Sequence, residues 1–240
     1  MYNGQTVSVV ISTYREKNSI RNFIEKSFST GYVDEVIVVN NNAELGTDQE
    51  VLKTKAKLIY ENKQGYGFGY RKGLAEATGE LIIMTEADGT FSLDDFEKLL
   101  IYSKNFPVVF CTRTATYTIL DGANMGLFLK WGNWAVAKMI EVIFMATQLS
   151  DVGCTTRLIR KDVVDKIQPY FEVGGSHFGL EMILLIILNE IPFIEIPIHY
   201  SARVGESSVT GNFFNTLALG VTMIFFALKI RFISIFKRYN

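Results

Sequence analysis

"ELIIMTEADGT", residues 80–90, decides how this chain is read. The apolar run from Leu81 to Met84 fits a buried strand, and the acidic side chains of Glu86 and Asp88 follow where such a strand reaches the surface. Two carboxylates held that close cost free energy unless a cation or hydrogen-bond donors neutralise them. From these residues alone two readings stand: a solvated turn ending a strand, since acidic residues are ordinary turn formers, or half of a metal site.

Working outward, apolar strands and helical segments alternate. "VSVVIS" (7–12), "DEVIVVN" (34–40), "KLIY" (57–60) and "VVFCT" (108–112) read as further strands. Between them Ile20, Phe23, Ile24 and Phe28 recur at helical spacing. Thr47 with Glu50 is expected to form a capping box, and Ser92 with Asp95 to cap the next helix. "YRKGLAEATG" reads as a helix ended by Gly79. Strands alternating with helices predict parallel pairing, with helices on both faces of one sheet.

In such sheets ligands bind at the carboxyl ends of the strands. Polar residues gather there: Thr13 to Glu16 after the first strand, Asn40 to Asn42 after the second, Glu86 and Asp88 after the fourth. Three strand ends supplying one edge favour a site over a solvated turn. The Gly-rich "GYGFGY" (65–70) is not a dinucleotide fingerprint, since Tyr70 takes the third glycine position and the run follows the third strand. Its glycines fit close packing of a helix start on the sheet, with a backbone nest for a diphosphate as the other reading.

Composition bounds the rest. The chain has 240 residues and a formal net charge of −1, so no overall field attracts nucleic acid. Cys111 and Cys154 show no metal-site spacing and fit a reducing compartment. The N-terminal "MYNGQTVSVVIS" lacks the basic region and long apolar stretch of a signal peptide. Two later stretches are greasier than the rest. Residues 125–149 carry Lys130, Lys138 and Glu141, which argue for a helix lying on an apolar surface, with Trp131 and Trp134 as interfacial aromatics. Residues 212–240 hold an uncharged run from Phe213 to Leu228 and then Lys229, Arg231, Lys237 and Arg238. That order predicts a helix at an anionic membrane surface, against the alternative of a core helix with a basic tail. The expected organisation is one α/β domain over 1–211 and a C-terminal hydrophobic or amphipathic helix over 212–240.

"VVISTYREKNSI", "EVIVVNNN", "NKQGYGFGYRKGLAEATGELIIMTEADGTF" and "SDVGCTTRLIRKDVV" together resemble glycosyltransferase family 2, most closely the polyprenyl- or dolichyl-phosphate sugar synthases. The resemblance runs in order over residues 7–210. It implies a GT-A fold, with a Rossmann-like, mixed and mostly parallel sheet. It further implies a nucleoside-diphosphate sugar donor, Mg²⁺ or Mn²⁺ as cofactor, and inversion at the anomeric carbon. By the same resemblance, Ser12, Tyr14, Glu16, Asn40, Asn41 and Ala87 belong to the nucleotide site. Glu86 and Asp88 stand at the metal-gripping Asp-x-Asp, with Thr90 close to the ion. Arg113 matches a phosphate clamp, and Asp151 and Arg157 fall in a second motif. Arg203 lies on a loop closing over the diphosphate and the acceptor, with Ser207 and Ser208 further along it. The catalytic set is Asp88, Arg113, Asp151 and Arg203; the acceptor side is Arg157, Ser207 and Ser208.

Physical chemistry fits those roles. A hard cation between carboxylates and phosphate oxygens neutralises a leaving diphosphate, and arginines add bidentate phosphate contacts. A lipid phosphate acceptor is already ionised and needs no strong base, in keeping with only two histidines, His177 and His199, both read as structural. Glu86 departs from the usual aspartate, though its longer arm reaches a cation. Asn40 replaces a base-binding aspartate, which leans towards a uridine nucleotide. The expected setting is the cytoplasmic face of a membrane, peripheral or monotopic. Two rival readings are transfer to a glycan hydroxyl with Asp151 as general base, and a non-catalytic scaffold that binds nucleotide sugar or lipid.

Overall fold

A computed structural model describes residues 1–123, 126–146, 149–204 and 213–236. The chain runs β1 (Val7–Thr13), α1 (Lys17–Ser29), β2 (Glu35–Asn40), α2 (Thr47–Leu52), β3 (Lys57–Tyr60), α3 (Tyr66–Glu76), β4 (Leu81–Thr85), α4 (Asp94–Tyr102) and β5 (Val108–Thr112). It continues through α5 (Leu127–Phe144), β6 (Arg157–Arg160), α6 (Lys161–Ile167), α7 (Phe178–Leu188), β7 (Phe193–Pro197) and α8 (Phe213–Phe236). The strands form one seven-stranded sheet in the order β3-β2-β1-β4-β6-β5-β7. Pairing is parallel except at β6, which runs antiparallel to both β4 and β5. The expected mixed, mostly parallel sheet is therefore present.

Alternate residues of the apolar strands feed two cores. Val10, Ile37, Val39, Ile82 and Met84 face α3, α5, α6, α7 and α8. Val7, Val9, Ile11, Val36, Val38, Leu81 and Ile83 face α1 and α4. Of the glycines of "GYGFGY", Gly65 caps α3 while Gly67 and Gly69 lie inside it, as does Gly73 further along, and they do what close packing requires. A Cβ at Gly69 would stand 2.1 Å from Ser12 Oγ, and one at Gly73 2.4 Å from a Val10 methyl carbon. Any side chain there would lift α3 off β1.

Several local expectations are corrected. Thr47 is the first residue of α2 rather than its cap; Gly46 caps the helix and Thr47 Oγ1 is buried without a hydrogen bond. At α4 the Ser92 hydroxyl accepts from the Asp94 amide, but Asp95 turns its carboxylate to His199 and Lys98. Helix α3 ends at Glu76, and Gly79 instead packs its Cα against Ser8. Helix α5 stops at Phe144, where Met145 adopts φ 53°.

Helix α8 packs against α5 and α7. Met223, Ala227 and Ile230 point inward, whereas Leu217, Val221, Phe225, Leu228, Phe232 and Ile235 are exposed. It is apolar on both faces. Residues 214–236 are long and apolar enough to cross a membrane by length and composition, and 17% of their most apolar window is buried. Lys237 and Arg238 lie outside the described residues.

Candidate active site

The carboxyl ends of β1, β2 and β4 open side by side, at the point where the chain crosses from β1 to neighbours on either side. A cavity of about 720 Å³ sits there. Ser12, Tyr14, Glu16, Asn41, Glu86, Arg113, Arg157 and Arg203, all expected from the sequence, line it.

Of the acidic pair, Glu86 lines the cavity and Asp88 is buried beside it, next to Arg203. Asp88, 1% exposed, uses Oδ1 to accept from the amide and hydroxyl of Thr90. Glu86 uses Oε1 to accept from the Thr155 hydroxyl at 2.9 Å. The other two oxygens face Arg203: its Nη2 lies 2.9 Å from Glu86 Oε2 and 2.7 Å from Asp88 Oδ2. The N–H is directed at Glu86, so Asp88 Oδ2 is buried with no hydrogen-bond donor. Burial and the neighbouring Asp88 charge push the Glu86 carboxyl up to about 7, although Arg203 pulls the other way. Two convergent hard oxygens, one of them an orphan, fit a divalent cation. Among the described residues no group of three or more His, Cys, Asp or Glu forms a metal cage. An ion at this place would take its remaining ligands from water or phosphate, as Mg²⁺ commonly does.

Arg203 is brought there by the loop that follows β7. That loop is zipped onto the Asp88 turn: the Val204 amide donates to Asp88 O at 2.7 Å and the Ser201 amide to Thr90 O at 2.9 Å. Gly89 permits the turn with φ +84°, a conformation that side chains strain to adopt. Ala87 is fully buried in the core behind the turn and does not line the cavity. Ser207 and Ser208 lie outside the described residues.

Arg113 and Asp151 form a second centre. Arg113 donates from Nε and Nη2 to the two Asp151 oxygens at 2.8 and 2.9 Å, and the amides of Arg113 and Gly153 donate to the same carboxylate. Burial works against the Asp151 charge, but the Arg113 guanidinium and these bonds outweigh it and hold the carboxyl below the usual range. Tyr200 lies under the Arg113 guanidinium, 5.3 Å from it.

Four expected residues serve as braces. Arg157 is 1% exposed and commits its guanidinium to the carbonyls of Cys154, Thr155 and Gly179, so it shapes the wall rather than offering a phosphate clamp. Asn40 donates to Asp48 and accepts from the Ala43 amide. Asn41 donates to the carbonyls of Glu61 and Lys63 and accepts from the Gly65 amide. Both asparagines therefore spend their amides on the loops around the cavity. Glu16 likewise accepts from Thr13, Tyr14 and Arg15. Thr155, Tyr66 and Tyr200 also line the cavity and were not expected from the sequence; Thr155 is an uncharged residue of "DVGCTTR", between Asp151 and Arg157.

The chain is similar to several known proteins. The low-salt glycan biosynthesis hexosyltransferase Agl6 of Haloferax volcanii is 26% identical over 209 residues, covering 85% of this chain and 50% of that protein. The dolichyl-phosphate beta-glucosyltransferase of Saccharomyces cerevisiae is 24% identical over 226 residues, covering 81% of this chain and 66% of its own. The chain thus spans half to two thirds of the length of these two relatives. A third, a dolichyl-phosphate hexose transferase of Haloferax volcanii, is 24% identical and covers 87% of this chain and 88% of its own length. In fold, the chain is similar to glucosyl-3-phosphoglycerate synthase of Mycobacterium tuberculosis, crystallised with Mn²⁺, uridine diphosphate and phosphoglyceric acid. The TM-score is 0.72 at 14% identity, over 95% of this chain and 79% of that one. The family model described as glycosyl transferase family 2 matches residues 8–168. A mostly parallel sheet with a carboxylate pair at its switch point, and that match over most of its length, place the chain in glycosyl transferase family 2.

Proposed function

We propose that the protein moves a sugar, with inversion, from a nucleoside-diphosphate sugar to the phosphate of a polyprenyl lipid at a membrane surface. The observation that carries this reading is the two-sided character of one cavity. Its lining combines Glu86, Arg113 and Arg203 with Leu129 and Val136 of α5 and Leu217, Val221 and Ile224 of α8. Charged and apolar walls in one cavity suit a ligand with a charged head and a hydrocarbon tail. Two of the relatives above carry dolichyl phosphate in their names, which supports the same acceptor class.

Glu86 and Asp88, with Thr90 holding Asp88, would keep Mg²⁺ or Mn²⁺ beside the diphosphate. Once bound, the ion supplies charge neutralisation to the leaving group. Arg203 already sits at that point and is placed to pair with phosphate oxygens when the carboxylates have another counter-charge. Arg113 presents the remainder of its guanidinium to the cavity from a position fixed by Asp151. An ionised acceptor phosphate is its own nucleophile, so no side chain has to remove a proton.

That last point separates this reading from transfer to a glycan hydroxyl. A general base needs a carboxylate with a free oxygen and a pKa near the working pH, whereas Asp151 accepts four hydrogen bonds and is held below the usual range. A non-catalytic scaffold would have no need of a carboxylate oxygen that faces Arg203 without accepting a hydrogen bond. Residues 212–240, in this proposal, hold the cavity mouth at the bilayer. Raising a polyprenyl chain into water would otherwise cost about 0.8 kcal/mol per methylene. The cytoplasmic face belongs to the same proposal, with Cys111 and Cys154 as free thiols.

A screen of nucleotide-sugar donors against a short-chain polyprenyl phosphate, with and without Mn²⁺, tests the reading. Formation of a glycosylated lipid phosphate with at least one donor is expected. Mn²⁺-dependent binding of donors with transfer only to hydroxyl acceptors would overturn it.

A further inference from the structure

The acidic pair is built with a matching back and front. Each carboxylate has one oxygen held from behind by a threonine hydroxyl: Asp88 Oδ1 by Thr90 and Glu86 Oε1 by Thr155. The other oxygens, Oδ2 and Oε2, converge on one point, now taken by a single nitrogen of Arg203. For Asp88 the hold is local, two residues along its own turn. For Glu86 it comes from across the sheet, because the longer side chain has one more torsion to fix.

The hold on Glu86 continues outward. Tyr66 donates its hydroxyl to Thr155 Oγ1 at 2.8 Å. A threonine hydroxyl has one proton to give. With Tyr66 donating to the oxygen, that proton is left for Glu86, and the two bonds polarise one another in a buried setting. The Tyr66 ring is fixed edge-on against Tyr70, with centroids 4.7 Å apart. Tyr70 is fully buried and donates to the carbonyl of Thr85, the residue before Glu86. Thr85 and Thr156 are themselves joined by their hydroxyls at 2.9 Å. The brace therefore begins and ends at the tip of β4.

Resting on the function proposed above, we propose that Thr155, oriented by Tyr66, is a positioning residue for the cation site, keeping Glu86 Oε2 turned towards Asp88 Oδ2. Neither residue needs to touch the ion or the sugar. Partners of this kind typically change metal affinity by about 10- to 100-fold when removed.

The test is Mn²⁺ affinity read by electron paramagnetic resonance on the full-length protein at saturating uridine diphosphate, alongside thermal melting. Thr155→Val keeps the shape and removes the donor, and is expected to weaken Mn²⁺ about tenfold. Thr155→Ser should restore it. Tyr66→Phe should give a smaller loss, and the double variant should be no worse than Thr155→Val alone, since Tyr66 acts only through Thr155. If Thr155→Val fails to fold, Tyr66→Phe and Thr155→Ser carry the test, the first expected to weaken Mn²⁺ and the second to leave it unchanged. Wild-type Mn²⁺ affinity in Thr155→Val, or in Tyr66→Phe where that variant carries the test, would overturn the proposal, as would additive losses or a change confined to the acceptor KM. Failure of the wild-type protein to bind Mn²⁺ and uridine diphosphate at all would overturn it together with the reading on which it rests.

Discussion

Arg203 Nη2 and Asp88 Oδ2 stand 2.7 Å apart, and the same nitrogen hydrogen-bonds to Glu86, so one guanidinium balances both carboxylates. Asp88 is the member of the pair with an orphan oxygen. Asp88→Ala should therefore abolish divalent-dependent binding of a nucleoside diphosphate. Glu86→Asp keeps the charge but falls short of Thr155, and should weaken binding by about tenfold without abolishing it. Calorimetry with and without Mn²⁺ measures both; unchanged affinity in Asp88→Ala would remove the cation site.

The asparagines after β2 lead to a second expectation. Asn40 donates to Asp48 at 2.6 Å, so Asn40→Asp would set two carboxylates against each other. Loss of the bond with that repulsion should cost about 1–3 kcal/mol at neutral pH, and less in acid. Asn41→Ala should loosen residues 61–65 and weaken uridine and guanosine diphosphates alike, because its amide serves the protein backbone. Competition binding checks this. A switch of base preference in Asn41→Ala would mean that the side chain reads the base directly.

Asp151 sets the acid limb of stability. Its folded pKa lies below the unfolded value of about 3.9. The Arg113 pair therefore stabilises the fold above roughly pH 4, and that contribution is lost as pH falls through the lower folded value. Asp151→Asn strands a buried guanidinium and should cost about 3–5 kcal/mol near neutrality. The gap from wild type should shrink towards pH 3. Thermal or denaturant unfolding across that range gives the answer, and a gap independent of pH would contradict it.

Much of this arrangement was legible in the sequence for a physical reason. The strands of the first half announce themselves through unbroken β-branched runs, and the site follows because polar residues sit at their carboxyl ends. Strands β6 and β7 were not singled out. "RLIR" at 157–160 is short and flanked by charge, and its antiparallel insertion between β4 and β5 is decided by pairing across the sheet. Partners were hidden for the same reason. Arg113 and Arg157 are equally basic in sequence, yet one meets a buried carboxylate and the other three carbonyls. Thr155 meets Glu86 across 69 positions of chain.

Helix α8 separates membrane contact from core packing on its two faces. Phe225 and Phe232 are exposed, whereas Met223, Ala227 and Ile230 are buried. Phe225→Glu with Phe232→Glu should release the protein from anionic liposomes while leaving its melting temperature and nucleotide binding close to wild type. Ala227→Glu should lower the melting temperature instead, by burying an unpaired charge. Co-sedimentation and melting curves distinguish the two, and full liposome binding by the double Phe variant would show that this face is not the contact.

The most direct test compares two acceptors that differ only in the head group. The wild-type protein, with Mn²⁺ and a competent nucleotide sugar, is offered a polyprenyl phosphate and the corresponding polyprenol in the same vesicles. The predicted result is sugar transfer to the phosphate and none to the alcohol, because Asp151, the base that transfer to a hydroxyl would call on, already accepts four hydrogen bonds. Comparable transfer to the polyprenol, lost on Asp151→Asn in protein that remains folded, would contradict the account.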